Sequence, residues 1–351
     1  MARHCLERRE WMAGVTAGFC SALTGTAWGQ DRNSRKSSRN LMKPETREAI
    51  RKGLAYLKSQ QNEDGSFGSR GYSRNVAVCA LSGMAFMASG STPGRGRFGQ
   101  QVQRSLNYIL NNVQPSGFIT AAASAGRGRM YGHGFATLFL AEAHGMSRNP
   151  ALREKLEKAI KLIVETQNDE GGWRYEPKKL DADISVTICQ VMALRAARNA
   201  GIYVPNETIE KCIEYVKQSQ NADGGFMYML SQPGESLFPR SAAGVVALYS
   251  AGIYEGEELE RGLDYLMQHV PHADAPVRGG HFFYGHYYGV QAMWHAGGER
   301  WKKWYPAIHD VLLNKQRDEG AWFSQICPEY GTAMACIVLQ MPNNYLPIFQ
   351  N

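Results

Sequence analysis

Gln167-Asn168-Asp169-Glu170-Gly171-Gly172-Trp173 is one copy of a short motif that recurs along the chain. Full copies also begin at Gln61, Gln220 and Gln316, a shortened copy begins at Gln114, and a degenerate copy begins at Gln268. Successive glutamines are therefore 53, 53, 53, 48 and 48 residues apart. A period of this length indicates one supersecondary unit that stacks on its neighbours to bury an apolar face. The spacing predicts six such units.

Two kinds of helix alternate between these motifs. The helices before the glutamines place apolar residues at i, i+3, i+4 and i+7 with charges between them. They are predicted at Glu45–Gln60, Gln101–Val113, Leu152–Thr166, Glu207–Ser219, Glu257–His269 and Lys302–Lys315. The helices after the turns are rich in small residues and carry few charges, which is typical of helices buried on all sides. They are predicted at Asn75–Ala88, Gly132–His144, Ile184–Ala200, Ser241–Ala251, Gly285–Ala296 and Gly331–Leu339.

This alternation predicts an all-α fold, an (α/α)6 toroid of six helix pairs that forms a single domain over residues 44–351. Charged helices form the outer ring and small-residue helices the inner ring. We expect the Asp-Gly turns, the glutamines and the aromatic residues that follow to tie each pair to the next through a side-chain hydrogen bond and ring packing.

The repeated Gln-x-x-x-Gly-x-Trp/Phe motifs resemble those of squalene–hopene cyclases, class II terpene cyclases and protein prenyltransferase β subunits. The resemblance covers nearly all of the chain after the N-terminal segment. It implies a cavity at the N-terminal ends of the inner helices, with a hydrophobic small molecule or another, unidentified ligand as the partner. Inner-helix N-termini also present unpaired N–H groups and positive dipole ends to one mouth.

The N-terminal 43 residues differ from the rest of the chain. Arg8-Arg9-Glu10-Trp11-Met12 is followed by a small, apolar stretch and by Ala27-Trp28-Gly29, which indicates a twin-arginine-type signal peptide over residues 1–29. Residues 30–43 are basic and rich in Ser and Asn, so we expect a disordered linker. These features predict export to the periplasm or cell envelope. Whether the signal is cleaved stays open.

Net charge and the distribution of apolar residues argue against nucleic acid and a membrane span as features of this chain. The formal net charge is +7, but residues 1–43 hold eight Lys or Arg against three Asp or Glu, so the remainder is nearly neutral. We therefore expect no nucleic-acid binding, which needs a basic face on the folded domain. Beyond the N-terminus, no apolar run approaches the ~20 residues that a transmembrane helix needs. The five cysteines after residue 29 have no paired spacing and are expected to be buried and free. Oligomeric state is not predicted.

Polar and aromatic residues mark the starts of the inner helices. The triplet Tyr131-Gly132-His133 recurs as Tyr284-Gly285-His286, three repeats later and therefore on the opposite side of the ring. Other candidates at the same rim are Asp181, Asp183, Arg240 and Tyr330, with Trp173, Arg174 and Tyr175 on the lip. We predict that Asp183, His133, Arg240 and His286 converge on one basin. A rim histidine beside Gly and Tyr is, equally, often only a hydrogen-bonded core residue.

The cyclase resemblance assigns a role to the carboxylates. Those enzymes carry Asp-x-Asp-Asp-Thr-Ala, whose central Asp protonates an alkene; here Asp181-Ala182-Asp183-Ile184-Ser185 keeps the first two acidic residues. The resemblance makes Asp183 the acid, with Asp181, His133 and His286 as further catalytic candidates. A carboxyl in an apolar cavity has a raised pKa, which favours a protonated donor. N-capping of the inner helix and ligand binding are the alternative roles for the two aspartates.

Aromatic side chains are predicted to line the cavity and to stabilise a carbocation through their π faces. This predicted substrate-binding set is Tyr131, Arg240, Tyr284, Tyr287, Tyr288, Trp294 and Tyr330. We predict no metal and no cofactor. The prenyltransferase zinc is held by Asp-x-Cys and a His, but Phe238-Pro239-Arg240-Ser241 offers no thiolate where that motif should lie.

Three functional hypotheses follow from these observations. The first is an exported, terpene-cyclase-like enzyme or binder that acts on a polyprenyl or other hydrophobic substrate. The second is a non-catalytic toroid that binds a ligand or a protein in the same basin. The third is a carbohydrate-active (α/α)6 enzyme, which needs two carboxylates, or a carboxylate with Arg or His, at the mouth.

Overall fold

The computed structural model describes residues 42–121, 128–272 and 281–350. The predicted signal peptide, most of the predicted linker, and Gly279-Gly280 of the degenerate fifth turn lie outside these ranges. Twelve α-helices occur in the described ranges. The outer helices are α1 Pro44–Gln60, α3 Gly99–Asn111, α5 Ala151–Thr166, α7 Asn206–Gln218, α9 Glu257–Met267 and α11 Gly298–Lys315. The inner helices are α2 Val76–Met87, α4 Arg129–His144, α6 Ile184–Asn199, α8 Phe238–Ser250, α10 Phe282–Ala296 and α12 Pro328–Leu339.

The inner helices form a closed ring. Each inner helix packs on the next one in chain order, and α12 packs on α2 to complete the circle. The outer helices lie against this ring, with their apolar faces buried and their charged faces in solvent. This arrangement confirms the predicted all-α toroid of six helix pairs.

Four inner helices begin earlier than the sequence predicted. Helices α4, α8, α10 and α12 begin three residues before the predicted glycine or serine. In α8 and α12 a proline stands in the first turn, where its fixed φ suits a helix and its missing N–H costs nothing. The small residue is therefore the point of close packing, not the start of the helix. For example, a Cβ on Gly285 would lie 2.8 Å from the Cε1 atom of Phe238 on the neighbouring helix.

The recurring glutamine links each pair to the next through its side-chain amide. Gln167 Nε2 donates to the carbonyl of Gly171 in its own turn at 2.8 Å and to the carbonyl of Thr208 in the next outer helix at 2.9 Å. Gln61, Gln220 and Gln316 make the same two bonds. The turn glycine is held at φ 95°, and a Cβ there would lie 2.1 Å from the carbonyl oxygen of Lys211. The motif is therefore the joint between repeats.

The last of these joints closes the ring. Gln316 Nε2 donates to the carbonyl of Ala49 at 2.8 Å, which connects the sixth repeat to the first outer helix. At the same seam, His309 Nε2 lies 2.7 Å from the hydroxyl of Thr46, and both residues are buried.

The C-terminal segment covers the far end of the inner ring. Trp294 Nε1, near the end of α10, donates to the carbonyl of Phe349 at 3.0 Å. The N–H of Ile348 donates to Glu142 near the end of α4 at 3.2 Å. Burial raises the pKa of Glu142 to about 8. No helix in the described ranges combines the length and apolar character needed to cross a membrane.

We predict that Gln316→Ala lowers the free energy of unfolding by about 1–3 kcal/mol, because two backbone carbonyls lose their donor at the closing seam. Urea denaturation measures the change. The matched control is Gln60→Ala, an exposed glutamine immediately before the first motif, which should change stability by less than about 0.5 kcal/mol. Equal losses in the two variants would show that the joint does not stabilise the ring.

Glu142→Gln tests the contact under the ring. The folded protein keeps the Glu142 proton up to about pH 8, whereas the unfolded chain releases it near 4.5. The folded state therefore binds more protons in this window, and stability falls as pH rises through it. We expect the variant, which cannot ionise, to lose less thermal stability between pH 5 and pH 8 than the native protein. Identical pH slopes in thermal denaturation would contradict the assignment.

Candidate functional site

Asp183 caps the N-terminus of inner helix α6. Its Oδ1 accepts hydrogen bonds from the backbone N–H groups of Ser185 at 3.0 Å and Val186 at 2.9 Å, and from the Ser185 hydroxyl at 2.7 Å. The residue has extended backbone angles, φ −132° and ψ 151°, as an N-cap requires. The capping role is therefore present in the structure, and it holds the carboxyl in one orientation.

The second oxygen of Asp183 is buried and has no hydrogen-bond partner among the described residues. The side chain is 0% exposed, and the Nε atom of Arg174 lies 3.9 Å from Oδ2. Burial raises the pKa of Asp183 above its usual value, while the Ser185 and Val186 hydrogen bonds and the Arg174 charge oppose that rise. One oxygen is thus satisfied by the helix, and the other is able to carry a proton.

Asp181 has a different environment from Asp183. Its side chain is 41% exposed and forms an ion pair with Arg174. The Arg174 guanidinium also lies over the ring of Tyr175, 5.1 Å from its centroid. Asp181 is therefore a paired carboxylate at the rim that holds Arg174 beside Asp183.

Tyrosines from opposite sides of the ring meet next to Asp183. The rings of Tyr131 and Tyr284 are 6.4 Å apart and nearly perpendicular. The hydroxyl of Tyr284 donates to the carbonyl of Ser185 on α6 at 2.7 Å. Helices α4, α6 and α10, far apart in sequence, therefore converge at the mouth.

Below this layer, aromatic side chains fill the ring axis. Tyr288 lies 4.8 Å from Tyr284 and 4.9 Å from Tyr287, and its hydroxyl is 3.3 Å from Cys189 Sγ. Tyr287 in turn contacts Phe135 on the opposite side, with ring centroids 6.1 Å apart. Tyr330 is also buried. These tyrosines, which were predicted to form the cavity wall, therefore form a packed column along the ring axis in the described part of the chain.

The structure does not bring His133 into the basin. Its Nδ1 accepts the N–H of Ile119 at 3.1 Å, and its Nε2 donates to the carbonyl of Ala159 on an outer helix at 3.2 Å. Thr187 accepts the N–H of Trp173 in the same way in the third repeat. Both nitrogens of His133 are thus used between the rings, and burial lowers its pKa to about 4.

His286 also points between the rings. Its imidazole packs against Phe282 at 4.5 Å and Phe238 at 4.9 Å, and lies 6.2 Å from Trp304 of outer helix α11. Burial lowers its pKa to about 3. Residues two apart on a helix point about 200° apart, so a triplet that turns its Tyr to the axis turns its His away. The predicted convergence of both histidines with Asp183 is therefore wrong.

Two predicted substrate-binding residues lie away from Asp183. Trp294 is near the C-terminal end of α10, against Phe349 and Trp301, at the other end of the ring. Arg240 donates to the carbonyl of Glu235, and its Nε is buried with no partner in the described part of the chain. Partial burial lowers the pKa of Arg240. Trp294 is therefore no part of the mouth, and Arg240 lies at its edge.

Tyr228 is a mouth residue that the sequence reasoning missed. Its hydroxyl forms a hydrogen bond with that of Tyr175, and both rings border the Asp183 site. The repeat register contained the signal. Tyr228 comes two residues after Phe226 of the fourth motif, as Tyr175 comes two residues after Trp173 of the third.

The described ranges contain neither a group of side chains arranged to bind a metal nor an exposed thiol. No group of three or more His, Cys, Asp or Glu side chains in residues 42–121, 128–272 and 281–350 is arranged to hold a metal ion. The five cysteines of these ranges are buried and free, and burial raises the pKa of the Cys189 thiol to about 12.

The family model of the prenyltransferase alpha-alpha toroid domain matches residues 37–269. The chain belongs to this family. The drimenyl diphosphate synthase of Streptomyces showdoensis is 25% identical over 190 residues, which cover 54% of this chain and 34% of that enzyme. The match therefore spans about a third of the relative's length.

Solved structures of several activities share this toroid. A variant of the type II terpene cyclase MstE from Scytonema, in complex with merosterolic acid A, has a TM-score of 0.61 and 14% identity, covering 87% of this chain and 98% of that one. The cellobiose 2-epimerase of Spirochaeta thermophila has a TM-score of 0.65 and 12% identity, covering 90% and 98%. At these identities the likeness concerns the fold alone.

We predict that His133→Thr folds and becomes less sensitive to acid. The unfolded chain protonates this histidine near pH 6.5 and the folded protein only near 4, so stability falls as the pH drops through that window. A threonine can accept the Ile119 N–H as Thr187 does for Trp173, and it has no proton to gain. Chemical denaturation at pH 7 and pH 4.5 gives the slope, and a slope equal to that of the native protein would refute the assignment.

Proposed function

We propose that this toroid is an enzyme that protonates a carbon–carbon double bond of a hydrophobic, isoprenoid-type substrate at its mouth, with Asp183 as the acid. The observation that carries the proposal is that the two oxygens of the buried Asp183 carboxyl have different hydrogen-bonding environments. Oδ1 takes three hydrogen bonds from the start of α6, and Oδ2 takes none among the described residues.

The surroundings of Asp183 suit both the protonated form and the ionised form of an acid catalyst. The raised pKa favours the protonated form, because an apolar environment disfavours the charge. When the proton moves from Oδ2 to an alkene carbon, the O–H electron pair stays on the carboxylate and the alkene becomes a carbocation. The N–H groups of Ser185 and Val186 and the helix dipole then stabilise the new negative charge.

The aromatic residues supply the environment for the cation. Tyr131 and Tyr284 meet at right angles next to Asp183, so the substrate encounters both ring faces and ring edges there. The face of an aromatic ring attracts a cation by about 2 kcal/mol when water is excluded.

The comparisons support an isoprenoid-type substrate. A related enzyme is a drimenyl diphosphate synthase, and a structural neighbour, a variant of MstE, was solved with geranylgeranyl dihydroxybenzoate as substrate. A carbohydrate-active toroid would need two carboxylates, or a carboxylate with Arg or His, at the mouth. Asp181 is paired with Arg174, and His133 is turned between the rings. Glu329 accepts a hydrogen bond from the Ser69 hydroxyl at 2.9 Å. The glycan arm of the assay tests this alternative.

We further propose that the protein acts outside the cytoplasm. The support is the twin-arginine pair at Arg8-Arg9 with the apolar stretch that follows, all of it outside the described residues. Fractionation of cells that express the full chain, with and without Arg8→Lys and Arg9→Lys together, tests the location. Retention of the double variant in the cytoplasm supports export by this route.

Asp183→Asn should reduce turnover by about 10²–10⁴-fold, the usual contribution of a general acid. Asparagine keeps the N-cap, so the fold should persist. The assay incubates the purified protein in D₂O with a cellular lipid extract and, separately, with cell-wall glycans, and follows products by mass spectrometry. Protonation of an alkene adds one deuterium to the product.

Asp169→Asn is the matched control, because it removes an exposed carboxylate of the same repeat and leaves Asp181, Arg174 and Oδ2 in place. It should retain most of the activity. Equal turnover by the native protein and Asp183→Asn would refute the acid assignment. Conversion of glycans but not lipids would favour the carbohydrate reading, and binding without conversion would favour a non-catalytic toroid.

A further inference from the structure

We infer that Tyr284 is the specificity-determining floor of the mouth: with Tyr131 it closes the ring axis, so that a substrate chain lies across the rim and does not descend between the inner helices. This inference rests on the proposed function for its substrate class. Its structural part, that Tyr284 and Tyr131 close the axis above Tyr288, is independent of any reaction.

Burial increases step by step down the axis. Tyr131 is partly exposed at the mouth, Tyr284 is 8% exposed, and Tyr288 is 0% exposed. The Tyr284 ring therefore lies at the boundary between the partly exposed mouth and the buried column below it. A chain that entered the ring would have to displace this side chain first.

Tyr284 is held in this position from three sides. Its hydroxyl bonds to the Ser185 carbonyl across the ring at 2.7 Å, its edge meets Tyr131, and Tyr288 supports it from below at 4.8 Å. A side chain fixed by packing and by a buried hydrogen bond does not move aside at low cost. The floor is rigid.

In the native protein the axis below Tyr284 is filled by Tyr288 and Tyr287, so only removal of the Tyr284 ring makes room for more chain. Removing the phenol group opens roughly 100 Å³, somewhat less than the engineered apolar cavity of about 150 Å³ that stays dry and binds benzene. That volume is about the size of one added isoprene unit. The native mouth should therefore discriminate against longer chains, and Tyr284→Ala should relax that limit.

The test measures affinity for two prenyl alcohols, farnesol and the longer geranylgeraniol, by quenching of tryptophan fluorescence. Binding requires no turnover. We expect Tyr284→Ala to shift the ratio of the two affinities toward geranylgeraniol by about tenfold or more, because additional apolar carbons become buried. Tyr284→Phe keeps the ring and loses only the hydrogen bond, so its ratio should stay native.

Tyr305→Ala is the matched control. Tyr305 is also buried, and its hydroxyl also donates to a backbone carbonyl, that of Leu339 at 2.9 Å, but it lies on outer helix α11. Its loss should leave the affinity ratio unchanged. A native ratio in Tyr284→Ala, or an equal shift in Tyr305→Ala, would overturn the floor. If Tyr284→Ala does not fold, Tyr284→Leu provides the same comparison with a smaller cavity.

A second measurement separates this inference from the proposed function. A crystal of Tyr284→Ala soaked in benzene should show the benzene ring between Tyr131 and Tyr288. Benzene in that place supports the floor even if the native protein binds no prenyl alcohol, in which case the proposed substrate class fails alone. Collapse of the neighbouring side chains into the space would overturn the floor, whatever Asp183 does.

Discussion

The side-chain amide that joins neighbouring helix pairs is the interaction on which the rest of the molecule depends. In each full motif the glutamine side chain donates one N–H to a carbonyl of its own turn and the other to a carbonyl of the next outer helix, as Gln167 does with Gly171 and Thr208. An outer helix alone could pack in many registers on its neighbour. The two bonds select one, and the same register repeated brings the inner-helix starts to a single rim.

In the proposed function, Asp183 combines an acid role with the structural role of a helix cap. An N-cap aspartate normally serves the helix, since its carboxylate satisfies N–H groups that would otherwise be unpaired. Here the cap occupies only Oδ1, and Oδ2 is buried with no hydrogen-bond partner among the described residues. Capping and acid catalysis are therefore compatible uses of one side chain, because each uses a different oxygen.

The sequence predicted the toroid well because the fold rests on local rules repeated six times. Periodicity identified both rings, and the glutamine spacing identified the joints. The site was predicted less well, because it depends on which way each side chain turns. Tyr131 and His133 look like one constellation in the sequence, yet their separation on a helix sends one to the axis and the other to Ile119 and Ala159. Helical phase would have separated them. The filled axis was not predictable, since the rings of Tyr131 and Tyr284 meet across residues that are 153 positions apart.

The joint between Gln316 and Ala49 also limits how such a protein can evolve. An open solenoid gains or loses units at its ends without disturbing the others, because each unit contacts only its neighbours. A circle has no ends, so duplication or deletion of one helix pair would change the curvature demanded of every remaining joint at once. We therefore expect the sequences of such proteins to diverge mainly in the loops at the rim and in the side chains on the axis, while the number of helix pairs stays constant.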